Sequence, residues 1–443
     1  MNRLAIVVLS CLILLLSACE SGGIGRDGRD AREGSSELSG TLRIALFTAG
    51  NGRKVPYRAG MEGVRVSMIQ QRMMDFMEAH PGLEIEVYDI PSGTGNLDDV
   101  LNNPEFTPDI VELTAYQVET MYFDQLMDLG DWIGQENLWS GPYGDLIGRV
   151  TPSGDAVLLP IRVDPMVVYY DPAKFAELGL AEPEEGWTII DYAEAAKRLV
   201  EAGYAVAFPV GVDWAEALIR SWGGQYTSPE DSRSVIGWLD SEETIGAVVR
   251  YAQLIPEGVN PDLQAEETEV LGISRATSLG QLLYPRNAEY GVGPLPKAPD
   301  GERINAARLS GFGVVKDSKQ PVLAWEFLKW LIGETDEEAL TFTAMNTLDA
   351  ISGTFSTSQN KSVEALREQM RREIAVSVPA AFYPYMMRPG YYDPMLLFPI
   401  RMREEFLTYR DPETAERELA KLAQEWEEWM AAARNAVPSV PRG

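Results

Sequence analysis

The sequence predicts an α/β fold with a largely parallel sheet, and residues 41–113 carry this prediction. Alternating apolar and polar residues predict strands at 41–47 and 83–88, and an apolar run predicts a third strand at 108–113. Apolar side chains at helical spacing predict a helix over 64–79, between the first two strands. Strands that alternate with helices in this way are typical of a parallel sheet with helices packed on its faces.

The rest of the chain continues the mixed pattern. Short apolar runs at 156–160 and 166–170 flank two charged residues, Arg162 and Asp164. The last helix is predicted to begin after Asp411, because Asp is a favoured N-cap and the Pro that follows it suits the first helical position. Further helical patterns lie at 189–202, 214–222, 245–254 and 321–331.

The amino-terminal end has the pattern of an exported lipoprotein. Arg3 precedes a mostly apolar run at 4–16, which predicts a secretory signal peptide and is shorter than the roughly 20 residues of a spanning helix. The run ends in Leu-Ser-Ala-Cys, which resembles a lipoprotein box with Cys19 as the lipidated residue. We therefore expect a signal peptide at 1–18 and a membrane anchor at Cys19. An ordinary signal peptide with an incidental Cys19 is the alternative.

The cysteine content and the composition of residues 19–40 indicate an exported protein with a flexible tether. The sequence has two cysteines, and Cys11 lies inside the segment that would be removed. No internal disulfide would then remain, so the folded part must be stabilised by its hydrophobic core. Residues 19–40 are rich in Gly, Ser and charged side chains, which predicts a flexible, lipid-anchored tether.

Composition excludes several classes of function. The 67 acidic and 38 basic residues give a formal net charge of −29, which repels nucleic acid. The single histidine, His80, excludes zinc sites built on several histidines and leaves one ring for any Ser-His-Asp triad. Nucleophile-elbow and EF-hand motifs are absent from the sequence, and the glycines at 93–95 continue into neither a phosphate loop nor a dinucleotide-binding motif. We expect no catalytic residue, metal or cofactor, with a glycoside hydrolase as the remote alternative.

Several stretches resemble the family-1 extracellular solute-binding proteins, the group that contains maltose-binding and related sugar-binding proteins. The most specific stretch is LLPIRVDPMVVYYDPAKFAELGL at 158–180, followed by Pro183 and Trp187-Thr188, which resembles a characteristic run of the family. The other stretches are FMEAHPGLEIEV at 76–87, PDIV at 108–111 and the segment at 291–328. They occur in the family's order over nearly all of residues 41–434.

This resemblance implies a two-lobe periplasmic-binding-protein-like fold with a hinge and an interlobe cleft. The chain would cross between the lobes near 161–165, 289–291 and 331–334. Lobe one would comprise 41–160 plus 291–331, and lobe two 166–288 plus 335–436.

The resemblance also implies a function. The chain would capture a small ligand, a monosaccharide or an oligosaccharide, and deliver it to the permease subunits of an ABC-type importer. It would act as a monomer at the extracytoplasmic face of the cell membrane. A surface sensor or glycan-binding lipoprotein that acts with a sensor kinase is the alternative function.

Candidate ligand-binding residues are chosen by chemistry and position, since sugars bind to aromatic faces and planar polar groups. Trp214 and Trp222 bracket a predicted helix in a region that resembles one lining the family's cleft, and packing in the core is their alternative role. Arg162 and Asp164 lie at the first predicted crossing, where they would contact the ligand, pair with each other or be solvated.

Four more candidates rest on position alone. Tyr116 and Asn51 follow predicted strands, at the end where open α/β sheets bind ligands. Phe312 lies between two glycines, and Tyr391 follows another. The family's later stacking aromatic has only the displaced Tyr284 as its counterpart, which leaves a non-sugar ligand open.

Overall fold

The structure is a computed structural model, and it describes a large part of the chain. The described residues are 38–48, 54–56, 67–91, 97–101, 103, 105–118, 122–208, 212–230, 234–257, 269–283, 289–352, 360–381 and 406–435. Within these ranges, no helix has both the length and the apolar composition needed to cross a bilayer.

Strands and helices alternate through most of the described chain. The strands are β1 Ser39–Thr48, β2 Lys54–Pro56, β3 Gly82–Pro91, β4 Ile110–Thr114, β5 Leu159–Asp164, β6 Met166–Tyr170, β7 Ala205–Val206, β8 Glu269–Arg275, β9 Gly291–Gly293, β10 Asn305–Val314 and β11 Ser377–Pro379. The helices are α1 Met68–Ala79, α2 Leu97–Leu101, α3 Ala115–Gln117, α4 Gly130–Glu136, α5 Pro142–Val150, α6 Pro172–Leu178, α7 Ile189–Glu201, α8 Val212–Ser221, α9 Glu242–Leu254, α10 Ala276–Leu283, α11 Pro321–Ile332, α12 Asp336–Ser352, α13 Lys361–Ala375 and α14 Pro412–Asn435. The prediction of an α/β fold is confirmed.

The larger sheet has seven strands. Its order is β11-β10-β4-β1-β3-β2, with β5 also paired to β10. β1 runs parallel to β3 and β4, as the strand–helix–strand pattern predicts. β10 runs antiparallel to β4 and β5 and parallel to β11. β10 therefore connects three parts of the chain that are far apart in sequence.

The smaller sheet has four strands in the order β7-β8-β6-β9. Its core includes buried side chains from β6 and β8 and from helices α7, α8, α9 and α14. On α14, Leu419, Leu422, Ala423 and Trp426 are buried and recur at helical spacing, so this long helix packs with one apolar face. Asp411 accepts hydrogen bonds from the Thr414 backbone N–H at 2.9 Å and from its hydroxyl at 2.7 Å, which confirms the predicted N-cap.

The two sheets share a short crossing of the chain at Pro165. β5 ends at Asp164 in the larger sheet, and β6 begins at Met166 in the smaller one. β9 pairs with β6 in the smaller sheet, although the predicted lobe one resumes at residue 291. β11 pairs with β10 in the larger sheet, although the predicted lobe two includes it. The lobe boundaries stay a prediction.

Candidate functional site

The carboxyl ends of β1 and β4 form the first part of the candidate site. β1 lies between β3 and β4, so the chain leaves β1 toward one neighbour and returns on its other side. In open α/β sheets, ligands bind outside the carboxyl ends of strands at such a change in strand order. We call the group formed by Phe47, Glu112, Arg162 and Ser310 the switch-point cluster.

Glu112 is the centre of this cluster and is fully buried. One carboxylate oxygen accepts a hydrogen bond from the Phe47 backbone N–H at 2.9 Å, which ties the end of β4 to the end of β1. The other accepts from the Ser310 hydroxyl at 3.1 Å and from the Arg162 guanidinium. Three strands thus converge on one carboxylate, and its charge is compensated as a buried charge must be.

Arg162 brings the positive charge from β5. One terminal nitrogen forms the ion pair with Glu112, and the side chain retains 24% of its exposure. The Nε–H is buried and has no acceptor within the described part of the chain. A guanidinium carries five donors, so Arg162 has unused donor capacity beside the switch point. The structure pairs Arg162 with Glu112, whereas pairing with Asp164 was one of the expected alternatives.

Asp164 instead connects β5 to α10, which packs near the smaller sheet. Its carboxylate accepts from the Thr277 backbone N–H at 3.0 Å and from the Thr277 hydroxyl at 2.6 Å. Arg275, just before α10, donates to the backbone oxygens of Asp164 at 3.1 Å and Ala306 at 2.7 Å. The charges at the crossing therefore hold elements of the two sheets together.

A second buried network lies beside the crossing. The Asn305 side chain exchanges hydrogen bonds with both backbone groups of Met166, at 2.9 and 2.8 Å. Its amide also donates to Glu373 at 2.8 Å, and Glu373 accepts from Gln369 at 2.8 Å and from the Leu295 backbone N–H at 3.2 Å. Burial raises the pKa of the Glu373 carboxyl, although the Arg303 guanidinium at 3.6 Å and these hydrogen bonds oppose the shift.

Among the candidates Trp222, Trp214 and Tyr116, the structure describes the side chain of Trp222 only. Trp222 is half-buried and packs against the core of the smaller sheet, so its exposed part remains available. Trp214 lies in the first turn of α8, and Tyr116 lies in α3 directly after β4. For these two residues the structure describes the backbone only. Their roles in ligand binding stay predictions.

Phe312 is fully buried in β10. The glycines beside it are explained by strand packing: a Cβ on Gly311 would lie 2.4 Å from the Leu159 carbonyl oxygen, and one on Gly313 would lie 2.9 Å from Leu126. In this conformation Phe312 has no surface to offer a ligand, and contact with a ligand stays untested.

Three further predicted positions lie outside the described residues. They are Asn51, Tyr391 and the lipidation residue Cys19. Tyr284, the displaced counterpart of the family's stacking aromatic, also lies outside the described residues. Among the residues that the structure describes, no group of three or more His, Cys, Asp or Glu side chains is arranged to hold a metal ion.

Sequence reasoning missed Glu112, Ser310 and Thr277. Glu112 had a usable signal, because it is a charged residue inside the apolar run that predicts β4. Ser310 and Thr277 had none, because each is an ordinary polar residue whose partner is more than 100 positions away in the chain.

The site as described mixes donors and acceptors with nearly balanced charge. Glu112 and Asp164 are acidic, Arg162 and Arg275 are basic, and Ser310 and Thr277 carry hydroxyls. Such a set suits a neutral ligand with many hydrogen-bonding groups better than a strongly charged one.

Comparison with known families decides the identity. The model of the bacterial extracellular solute-binding proteins matches residues 64–338, more than half of the chain. The chain belongs to this family. The match includes α1, both crossing strands β5 and β6, and all the residues of the two networks except Phe47, Gln369 and Glu373.

Solved structures support the family's fold for this solute-binding protein. The sugar-binding protein MalE of Xanthomonas citri is 13% identical, with 90% of this chain and 100% of that chain covered and a TM-score of 0.61. The cyclic alpha-maltosyl-1,6-maltose binding protein of Arthrobacter globiformis is 15% identical, with 90% and 99% covered and a TM-score of 0.57. UgpB of Mycobacterium tuberculosis, solved with glycerophosphocholine, is 15% identical, with 88% and 100% covered and a TM-score of 0.57.

These likenesses confirm the predicted two-lobe fold of periplasmic binding proteins. At such low identity they show the fold and no more. No curated protein matches the sequence significantly.

Proposed function

We propose that this solute-binding protein is a lipid-anchored receptor that captures a carbohydrate outside the cytoplasm and delivers it to an ABC-type importer. The observation that carries the proposal is the family match over residues 64–338, because that family is defined by extracellular solute binding. A capture protein needs a site that binds and releases its ligand unchanged. A catalytic role is therefore not part of the proposal.

The proposed ligand site lies between the carboxyl ends of β1 and β4 and the crossing at Pro165. The switch-point cluster supplies Arg162 with unused donors, and Asp164 and Thr277 approach from the crossing. Trp222 and Trp214 would add apolar ring faces from the end and the start of α8.

Two arguments favour a carbohydrate. The near balance of charge around Arg162 suits a neutral ligand with many hydroxyls. Two of the similar structures are described as a sugar-binding protein and as a cyclic alpha-maltosyl-1,6-maltose binding protein. The complex of UgpB with glycerophosphocholine shows that a protein of this fold also binds a phosphodiester, so that class must be tested beside sugars.

A ligand screen by thermal unfolding tests the proposal. Ligands would be monosaccharides, linear and cyclic oligosaccharides, and glycerophosphocholine, each added to the soluble part of the protein that begins after the tether. A ligand present at 100 times its Kd stabilises the folded state by about 2.7 kcal/mol, which raises Tm by several degrees. A rise with a sugar and none with glycerophosphocholine supports the proposal. A rise with glycerophosphocholine alone contradicts the carbohydrate assignment.

Calorimetry with tryptophan variants tests where that ligand binds. We expect Trp214→Ala or Trp222→Ala to weaken binding by about 2 kcal/mol, roughly thirtyfold, because a rigid aromatic anchor removes a large apolar area from water. Trp330→Ala is the matched control, because Trp330 is 38% exposed on α11, where it packs against Phe76 of α1. If both α8 variants bind like the parent, these tryptophans are core residues and the proposed site is misplaced.

The lipid anchor is tested separately. In the full-length precursor, Cys19→Ser removes the only thiol left after the predicted cleavage, so we expect an unprocessed or freely released protein. Partition between detergent and aqueous phases measures the outcome. Cys11→Ser is the control, since it changes a thiol within the predicted signal peptide. A Cys19→Ser protein of mature size that still enters the detergent phase would refute the anchor.

A further inference from the structure

A cavity of about 300 Å³ shares no lining residue with the switch-point cluster. One wall is the end of α5 with Thr151 and Pro152, and another is the end of α8 with the segment 225–229. The third wall is the chain at 378–381, where β11 leaves the larger sheet. This volume is at the lower end of the range of small-molecule sites.

Arg149 contributes the first positive charge of the cavity. Its Nε–H and one terminal nitrogen donate to the backbone oxygens of Ser377 at 3.1 Å and Ala375 at 2.7 Å, which fix the guanidinium plane. No acidic side chain of the described chain forms an ion pair with it. Asp145, one turn earlier on α5, is exposed. A positioned guanidinium with unused donors is the group that binds oxyanions best.

Arg220 contributes the second charge from α8. It forms an ion pair with the fully buried Glu216 at 2.8 Å, and Glu216 also accepts from the Ala381 backbone N–H at 2.9 and 3.1 Å. The Nε–H of Arg220 is buried and has no acceptor among the described residues. A buried donor without an acceptor requires a partner, such as a water or an ion.

Neutral donors complete the cavity wall. Thr227 and Ser228 are nearly buried, and the Gln225 side chain is half-buried beside them. The Thr227 hydroxyl and the Gln225 amide form no hydrogen bond to any other described side chain or backbone group. Because Glu216 balances one arginine, the cavity keeps one net positive charge in a chain whose net charge is −29.

We propose that this cavity binds the phosphate or sulfate group of a small solute. The anion would accept from Arg149, from the Nε–H of Arg220, and from the Thr227 hydroxyl and the Gln225 amide. Tetrahedral oxyanions accept several hydrogen bonds at once, which matches this set of donors and the single net charge. The site does not depend on the identity of the sugar or other ligand at the switch point.

Calorimetry with inorganic phosphate, sulfate and glycerol 3-phosphate tests the site, with chloride at equal ionic strength as the reference. We expect saturable binding of phosphate or sulfate to the unmodified protein. Arg149→Gln should weaken it about tenfold or more, because a charge-assisted contact is lost. Thr227→Val keeps the side-chain shape and should weaken it about threefold. Arg250→Gln removes an equal charge from an exposed position on α9 and should change nothing.

Amide hydrogen exchange locates the bound anion in the unmodified protein. This measurement does not depend on the variants, so the proposal can be tested even if one variant folds poorly. Phosphate should slow exchange at 225–228 and 375–381 and leave β1 and β3 unchanged. Tighter binding of glycerol 3-phosphate than of inorganic phosphate identifies an organic phosphate as the occupant, and the reverse identifies the free anion. Binding no stronger than that of chloride, or equal binding by Arg149→Gln and its parent, overturns the proposal.

Discussion

Glu112 and Arg162 show how a single buried ion pair can organise the end of a sheet. Removing two charges from water is expensive, and the mutual attraction of the pair offsets this cost only when further hydrogen bonds complete the carboxylate. Phe47 and Ser310 supply those hydrogen bonds. We infer that the pair fixes the relative position of β1, β4, β5 and β10 at the place where the ligand is proposed to bind.

Replacement of Arg162 by Met should destabilise the protein by about 3 kcal/mol, because Glu112 would remain buried without its countercharge. Urea denaturation measures the loss as a lower midpoint at unchanged slope. Adding Glu112→Gln to the variant should restore a large part of the stability, since the uncompensated charge is then gone. A double variant no more stable than Arg162→Met would contradict this account.

Arg43 and Glu86 provide the control for that experiment. They form an ion pair at 2.8 Å in the same sheet, but their side chains are 41% and 39% exposed. Arg43→Met should therefore change the free energy of unfolding by no more than about 1 kcal/mol. The contrast between the two pairs isolates the effect of burial.

Glu373 should make stability depend on pH. Its pKa is raised in the folded protein, chiefly by burial, so the folded state keeps a proton that the unfolded state loses above about pH 4.3. The stabilisation is complete below that pH and decreases as pH rises through the folded pKa. Relative to a Glu373→Gln variant, the parent should therefore lose stability as pH rises.

Denaturant midpoints of the parent and of Glu373→Gln, measured from pH 4 upward, test this sign. The variant is the reference because it lacks this titrating group and shares the others. A difference that stays constant, or that changes in favour of the parent at higher pH, would show that the folded pKa of Glu373 is not raised.

At the scale of elements, two helices begin with the same chemistry in different surroundings. Asp164 accepts from the backbone and hydroxyl of Thr277 in α10, and Asp411 accepts from the same two groups of Thr414 in α14. Asp411 is local to its helix and exposed, whereas Asp164 comes from β5 and is buried. The Asp411 contact caps its own helix, whereas the Asp164 contact also joins β5 to α10.

We expect Asp164→Asn to lower the free energy of unfolding by about 2 kcal/mol, because a buried charge-assisted hydrogen bond is lost. Asp411→Asn is the matched control, and it should cost less because water solvates the exposed group. Amide exchange should accelerate at the start of α10 in the first variant and at the start of α14 in the second. Equal losses of stability would show that Asp164 is only a helix cap.

At the scale of the whole molecule, we expect the two sheets to move relative to each other about the crossing at Pro165. Both sheets bury apolar side chains, and the contacts beside the crossing include polar ones: Asp164 with Thr277, Arg275 with two carbonyls, and Asn305 with Met166. Short polar contacts between two apolar cores suit a hinge, which needs few residues to change conformation.

Ligand binding should therefore make the molecule more compact. Small-angle scattering with and without the sugar found in the thermal screen should show a smaller radius of gyration at saturation. A sugar from the same panel that gives no thermal shift is the control for solvent contrast. An unchanged radius of gyration with saturating ligand would count against closure.

The elements differ in how well the sequence predicts them. The strands at 41–47 and 83–88 are confirmed within β1 and β3, since one residue in two faces the core and the pattern is visible. β8 is buried along its whole length and β10 nearly so, and a strand buried on both faces shows no alternation. These two strands were not predicted from periodicity.

The sequence by itself determined the α/β class, the acidic surface charge and, through resemblance, the family. These properties follow from local patterns and composition, which do not depend on distant residues. Only the tertiary structure decided that Arg162 pairs with Glu112 and that Asp164 holds α10, because those partners lie 50 and 113 positions away. The physical reason is that a polar side chain satisfies its hydrogen bonds with whichever groups the fold brings near, and spacing along the chain does not encode that choice.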